Sequence, residues 1–269
     1  MKGLSNNNQT ANSLKAFGFD NQTANSLKSC AFDPTKLSQT ADSAVPITFP
    51  TAAPHIERRK DKRGYETPCG RLPSVTTIIK ETAPKESKDR LEAWLARPGA
   101  RQESAAACRR GSWVHQQLEN YLAGLPVENH LAFGGYYRNI IGWVEQNVVE
   151  PIAMEKPIFH PAGFSGTFDC LAYCADWMEP TLIDWKTSKR KRSADLVDGY
   201  FDQIGAYSLG LKHTYDIEPT KAVLAIARPT GTEPDIWVVD HDEILHREEK
   251  FLQRVDDYNR FLARFEQAA

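Results

Sequence analysis

Gly163-Phe164-Ser165-Gly166-Thr167-Phe168-Asp169 and Thr181-Leu182-Ile183-Asp184-Trp185-Lys186-Thr187-Ser188 are the two segments whose reading decides the fold of this chain. Both have the β-branched and aromatic content of strands, and the turn between them carries Asp176, Glu179 and Pro180. Side chains alternate along a strand, so Asp184 and Lys186 point to one face. Paired as a hairpin, the two strands bring Asp169 to the same patch. Gly166 leaves room for a close approach just before it. Two carboxylates and one ammonium in one place suit a divalent cation bound through oxygen, with a lysine beside it. The packing alternatives are a turn-facing aspartate at 169 and a surface ion pair between 184 and 186.

Outward from this hairpin, residues 152–160 form a preceding strand, 198–211 a helix, 221–227 an apolar strand, 235–239 another strand and 243–267 a long helix. Upstream, 73–79 is a strand or turn feeding a helix, with Ser74 or Thr76 as its cap. Residues 88–96 form a short helix stopped by Pro98-Gly99, 103–122 a long amphipathic helix closed by Gly124 and Pro126, and 131–149 another. This order predicts an α/β fold: a central mixed β-sheet flanked by helices, with an N-terminal helical region. The folded domain is expected over 57–269, with a helical part at about 70–150, the sheet at about 151–240 and the last helix after it.

The chain has 269 residues and a net charge of −2, room for one large domain with appendages and no overall bias towards polyanions. No apolar run approaches the roughly 20 residues that cross a bilayer, and no segment reads as a secretory signal. Local basic runs occur at Arg58-Arg59-Lys60 with Lys62-Arg63, at Arg109-Arg110 and at Lys189-Arg190-Lys191-Arg192. Each taken alone reads as a solvated surface. Cys30, Cys69, Cys108, Cys170 and Cys174 lack a C-x-x-C pair and read as reduced thiols; none follows residue 174, so no iron–sulfur cluster joining the two ends of the domain is expected.

Residues 1–56 differ in kind. Asn8-Gln9-Thr10-Ala11-Asn12-Ser13-Leu14-Lys15 recurs as Asn21-Gln22-Thr23-Ala24-Asn25-Ser26-Leu27-Lys28, with a degraded copy from Gln39. So polar a segment cannot bury enough surface to offset chain entropy, and a disordered tail is expected; the alternative is that its Leu and Phe positions dock on a protein partner. The first thirty residues contain no Arg and carry Asp20, which speaks against a transit peptide. The expected setting is the cytoplasm of a bacterium or a phage-infected cell.

Two helical pairs accompany the strand cluster. His115 and Glu119 are one turn apart on one face, so His115 can offer a nitrogen to a metal while Glu119 accepts from the metal's water or braces His115. The alternative is an ordinary helical His/Glu pair. Gln203 and Tyr207 share a face with Tyr200, where an amide and a phenol can hold phosphates or the strand below; the alternative is plain core packing. The peptide carbonyl of Trp185, between Asp184 and Lys186, can add a metal ligand. Such a set suits phosphodiester hydrolysis, with Lys186 orienting water and offsetting charge in the transition state. Trp113, Tyr136, Tyr137, Trp143 and Trp185 are stacking candidates for bases, or core residues.

Gly111-x-x-x-His115, Glu119, Gly166-x-x-Asp169, Asp184-x-Lys186 and Gln203-x-x-x-Tyr207, in that order, resemble the motif series of the PD-(D/E)XK nuclease superfamily and, within it, the RecB-type nucleases. Pro73-Ser74-Val75-Thr76, Leu91-Glu92-Ala93-Trp94 and Ile183-Asp184-Trp185-Lys186-Thr187-Ser188 are similar to segments of an exonuclease branch with phage and bacterial members. The likeness covers about residues 70–260. It implies a restriction-endonuclease-like core and a Mg²⁺- or Mn²⁺-dependent nuclease acting on single-stranded DNA ends. It also implies His115, Asp169, Asp184 and the Trp185 carbonyl around the metal, Lys186 as catalytic, and a helical region that encloses the strand. Ser74, Thr76 and Arg110 then become phosphate contacts. The rival readings are a structure-specific endonuclease on the same core and a DNA-binding or assembly module that has lost catalysis.

Overall fold

The computed structural model describes residues 47–50, 54–59 and 64–268, with side chains to 264. The repeat-bearing segment 1–46, its proposed partner role, Cys30 and the basic residues Lys60, Lys62 and Arg63 lie outside the described residues. Ile47 and Phe49, within the stretch expected to be a disordered tail, instead pack on the core. Phe49 meets the Tyr215 ring at 4.4 Å, and the Ile47 amide donates to the Tyr173 hydroxyl at 2.8 Å. Removing the apolar side chains of Ile47 and Phe49 from water holds residues 47–50 against the core.

A small antiparallel sheet comes first, formed by β1 (Glu57–Arg58), β2 (Gly64–Thr67) and β3 (Gly70–Pro73) in the order β1-β2-β3. Four helices follow: α1 (Val75–Glu81), α2 (Lys85–Leu95), α3 (Ala100–Leu122) and α4 (Gly134–Asn147). The main sheet and its remaining helices are β4 (Val148–His160), β5 (Phe164–Cys174), β6 (Pro180–Thr187), α5 (Ala194–Tyr215), β7 (Lys221–Ala227), β8 (Asp235–Val239) and α6 (His241–Ala268). Strand order is β4-β5-β6-β7-β8, antiparallel throughout except for the parallel pair β6–β7 that α5 connects. This is the expected mixed sheet flanked by helices.

Several boundaries move for local reasons. Ser74 caps α1 by accepting from the Thr77 amide at 3.2 Å. Gly99 takes a left-handed conformation, φ 82°, so α3 starts at Ala100 rather than 103. Strand β4 begins straight after α4 rather than at 152, and carries Pro151 through a register shift, as an edge strand can.

The sheet separates two apolar layers. Val75, Ile78, Ile204, Leu211, Phe251 and Val255 of α1, α5 and α6 cover one face together with Leu171, Leu182 and Leu224. Val114, Leu118, Ile140 and Val144 of α3 and α4 cover the other with Cys170, Ala172, Ile183 and Val223. Alternation along β5 changes phase between these layers. Leu171 and Phe168 both face α5, whereas Cys170 and Ala172 face α4. Asp169 lies at that phase change. The α5–α6 contact is close because Gly205 has no side chain: a Cβ there would lie 2.4 Å from the Arg247 backbone.

Candidate active site

The β5–β6 ladder ends at Cys170 opposite Ile183. Beyond it the strands part, and the Asp169 carboxylate fills the opening by accepting from the Trp185 amide at 2.8 Å. On the other neighbour, Met154 pairs with Cys170 and Lys156 with Phe168, so Glu155 stands opposite Asp169. Glu155 has φ 49°, a left-handed conformation that strains a non-glycine residue within a strand that runs on through it.

His115 enters from α3. Its Nε2 lies 2.8 Å from the Trp185 carbonyl oxygen. A carbonyl only accepts, so Nε2 carries the proton and Nδ1 is turned towards the acids. Nδ1 lies 3.5 Å from an Asp169 oxygen and 3.7 Å from a Glu155 oxygen. One ligand atom from each of His115, Glu155 and Asp169 falls within 4.8 Å of the others. Burial pulls the His115 pKa down, but Asp169 and Glu155 outweigh it and raise it to about 9.

Asp184 and Lys186 point to the α5 side of β6, as alternation requires. The Asp184 side chain is 0% exposed and that of Lys186 is 17% exposed, and the two form a close ion pair. Apart from that ammonium, neither Asp184 oxygen has a hydrogen-bond partner among the described residues. Burial and the nearby Asp169 raise the Asp184 pKa to about 6 against the pull of Lys186. Burial lowers the Lys186 pKa, but Asp184 and Asp169 outweigh it, so the net shift is upward. Tyr200 covers the ammonium, with its ring centre 5.3 Å from Nζ. A buried carboxylate so poorly compensated fits a further cation, and the nitrogen and oxygen donors beside it fit a divalent one.

A cleft of about 390 Å³ opens onto the cluster. Its walls include His115, Glu119, Glu155, Asp169, Ser74, Thr76 and Tyr207, together with Arg58 and Tyr65 from the small sheet. The Tyr65 and Thr167 hydroxyls are 2.8 Å apart and tie that sheet to β5. Gly166 is required here, since a Cβ would lie 2.8 Å from the Tyr207 ring and 3.2 Å from Val75. Gln203 donates to the Tyr207 hydroxyl at 2.6 Å. Burial, then Asp169 and Asp184, hold that phenol far above its ordinary pKa, so it stays protonated.

The expected residues therefore divide. His115, Asp169, Asp184, Lys186 and the Trp185 carbonyl meet at one end of the β5–β6 pair. Glu119 lines the cleft, but its carboxylate accepts from Gln116 at 3.2 Å, and the brace on His115 is Glu155. Ser74 is buried and bonded to Thr76 and Thr77, leaving Thr76 the exposed hydroxyl. Arg110 turns inward, 7% exposed, with Nε on the Thr187 hydroxyl at 3.0 Å and its guanidinium 4.7 Å over Tyr136, so it braces β6 instead of facing solvent. Of the stacking candidates, Tyr136, Tyr137 and Trp185 are core residues, and Trp143 packs against Trp185. Trp113 packs on His130, Phe133 and Tyr137. Glu155 escaped the sequence reading because a glutamate between Met154 and Lys156 looks like any solvent-facing strand position; only its spacing before Asp169 could have marked it.

The mixed five-stranded sheet flanked by helices is consistent with a restriction-endonuclease-like core, and the donor set at its parted strands is one that could hold a divalent metal. No family model matches the chain. The chain is 28% identical over 207 residues to mitochondrial genome maintenance exonuclease 1 of Xenopus tropicalis, a match covering 71% of this chain and 58% of that protein. Proteins of the same name from Mus musculus and Homo sapiens match at 26% over 227 residues and 23% over 208 residues. Those matches cover 77% and 70% of this chain, and 65% and 58% of the relatives. The chain thus spans less than two thirds of the length of these relatives. Their names support an exonuclease relationship and a nuclease function.

Proposed function

We propose that this chain is a metal-dependent DNA exonuclease of the PD-(D/E)XK superfamily, RecB type, that hydrolyses phosphodiester bonds at single-stranded DNA ends with Mg²⁺ or Mn²⁺. The observation that carries the reading is the convergence of His115, Glu155 and Asp169 beside a fully buried Asp184 paired with Lys186. Asp169, Asp184, His115 Nδ1 and Glu155 would hold the ion. Bound there, it supplies Lewis acidity towards the phosphate and a nucleophilic water at neutral pH. The Trp185 carbonyl accepts from His115 and orients that ring, and its second lone pair leaves it able to serve as a further ligand to the ion.

The remaining roles belong to the protein. Lys186 stays an ammonium, held by Asp184 and Tyr200, and offsets charge that grows on the phosphate oxygens. Tyr207, kept protonated and oriented by Gln203, presents a neutral donor at the cleft wall. Thr76 and Arg58 offer a hydroxyl and a guanidinium to the backbone of the strand. End-labelled linear and circular single strands, each with Mn²⁺ and with EDTA, test the reading. Linear strands are expected to shorten from an end, with circles intact and EDTA stopping the reaction. Cut circles would make the enzyme an endonuclease, and no cleavage of either would refute the proposal.

A further inference from the structure

Arg58, Arg109 and the run from Lys189 are far apart in sequence and stand on different elements. Arg58 is one of the residues lining the cleft. Arg109 is exposed on α3 one turn before Ser112, on the stripe that continues through Gln116, and both of those line the cleft. Its neighbour Arg110 bonds Thr187, which sets this part of α3 against the end of β6. The run from Lys189 begins three residues after Lys186, within about 10 Å of extended chain. Buried Ser188 shapes that loop, donating to the Arg190 carbonyl at 2.7 Å and accepting from Arg192 Nε at 3.0 Å. Lys189, Arg190 and Lys191 face solvent.

The charge pairing is uneven. Arg247, Lys250 and Arg254 are matched by Asp198 and Asp202, Arg228 by Asp235, and Lys212 by Glu218. Among the described residues no carboxylate pairs with Arg58, Arg109, Lys189, Arg190 or Lys191, and Asp195 in the first turn of α5 pairs with none of them. Among the described residues Lys85, Arg97, Arg101, Arg138 and Lys221 also lack a carboxylate partner, so what distinguishes Arg58, Arg109 and residues 189–191 is their place: at the cleft, on the helix stripe that lines it, and in the loop that follows Lys186.

We propose that Arg109 and the Lys189–Lys191 loop form a phosphate track that carries the single-stranded DNA backbone past the Lys186 side of the cluster. The inference rests on the nuclease reading. The cleft that the track leads to is lined by the hydroxyls of Tyr65, Ser74, Thr76, Ser112, Thr167 and Tyr207, which suits a sugar–phosphate chain.

The test is equilibrium binding of a fluorescent oligodeoxynucleotide to the full chain in Ca²⁺, with its integrity checked on a gel. Wild type is compared with the Lys189→Gln/Arg190→Gln/Lys191→Gln variant and with Arg109→Gln over a range of salt. The triple variant is expected to bind about 10-fold more weakly for any base sequence. Its slope of log affinity against log salt should fall by about 2, at roughly 0.7 for each phosphate no longer neutralised. An unchanged melting temperature establishes that the variant is folded. Unchanged affinity and slope in the variants, with wild type binding normally, would overturn the track and leave the nuclease reading standing. Absence of binding by wild type would overturn both, and equal competition by polyglutamate would reduce the patch to a general polyanion surface and overturn the track.

Discussion

Both oxygens of the Asp184 carboxylate are buried, and among the described residues the Lys186 ammonium is its direct ion-pair partner, with His115 a more distant positive charge. Removing one partner of a buried ion pair leaves the other charge uncompensated, typically at about 3 kcal/mol or more. Lys186→Ala should therefore unfold at lower denaturant in EDTA and recover more stability on Mn²⁺ addition than wild type does, while losing cleavage by at least about 100-fold. A denaturant series with and without Mn²⁺, read beside a cleavage assay, checks this. Glu155→Gln should weaken Mn²⁺ binding by about 10- to 100-fold, whereas Glu119→Gln should change it little; titration calorimetry distinguishes them. Gly166→Ala should push Tyr207 from the cleft wall and destabilise by about 1–3 kcal/mol, visible in the thermal melt.

At the scale of elements, α5 and α6 are joined by a charged clamp. Asp202 is 0% exposed and receives Arg247 at 3.1 Å, Lys250 at 3.2 Å and Arg254 at 2.7 Å. Asp202→Ala should cost about 3–5 kcal/mol of stability in urea unfolding. Asp198, half-exposed on the same clamp, is raised by burial but lowered more by Lys250 and Arg247, so its folded pKa lies below the ordinary 3.8. Its contribution is thus complete above that value and is lost as pH falls through the lower folded value. Asp198→Asn should lower stability at neutral pH, where the contribution is complete, and converge with wild type in acid, so the acid limb of stability against pH becomes shallower; urea unfolding across pH checks this. Strand β6 and its Asp184/Lys186 face were legible because alternation alone fixes them. The clamp was not, since charges on two helices reveal their pairing only when the helices pack. Glu155 was hidden for a related reason: its importance comes from its register opposite Asp169 and its left-handed backbone, neither of which is written in its neighbours.

Across the whole molecule, the sheet order and flanking helices follow from the succession of apolar strands and amphipathic helices. The small β1–β3 sheet does not, because its short strands carry few apolar residues and gain their place through Tyr65 on Thr167 and Ser165 on the Leu72 and Pro73 carbonyls. That sheet brings Arg58 to the cleft, so the cluster is walled by elements from both halves of the described chain. Arg110 looked like a phosphate contact in the linear sequence; folding turns it onto Thr187 and leaves Arg109 outside. The most direct test of a shared cation site is an anomalous difference map from crystals soaked in Mn²⁺. The expected result is a peak within coordination distance of His115 Nδ1 and an Asp169 oxygen, lost in Asp169→Asn. A peak elsewhere, or none at saturating Mn²⁺, would contradict it.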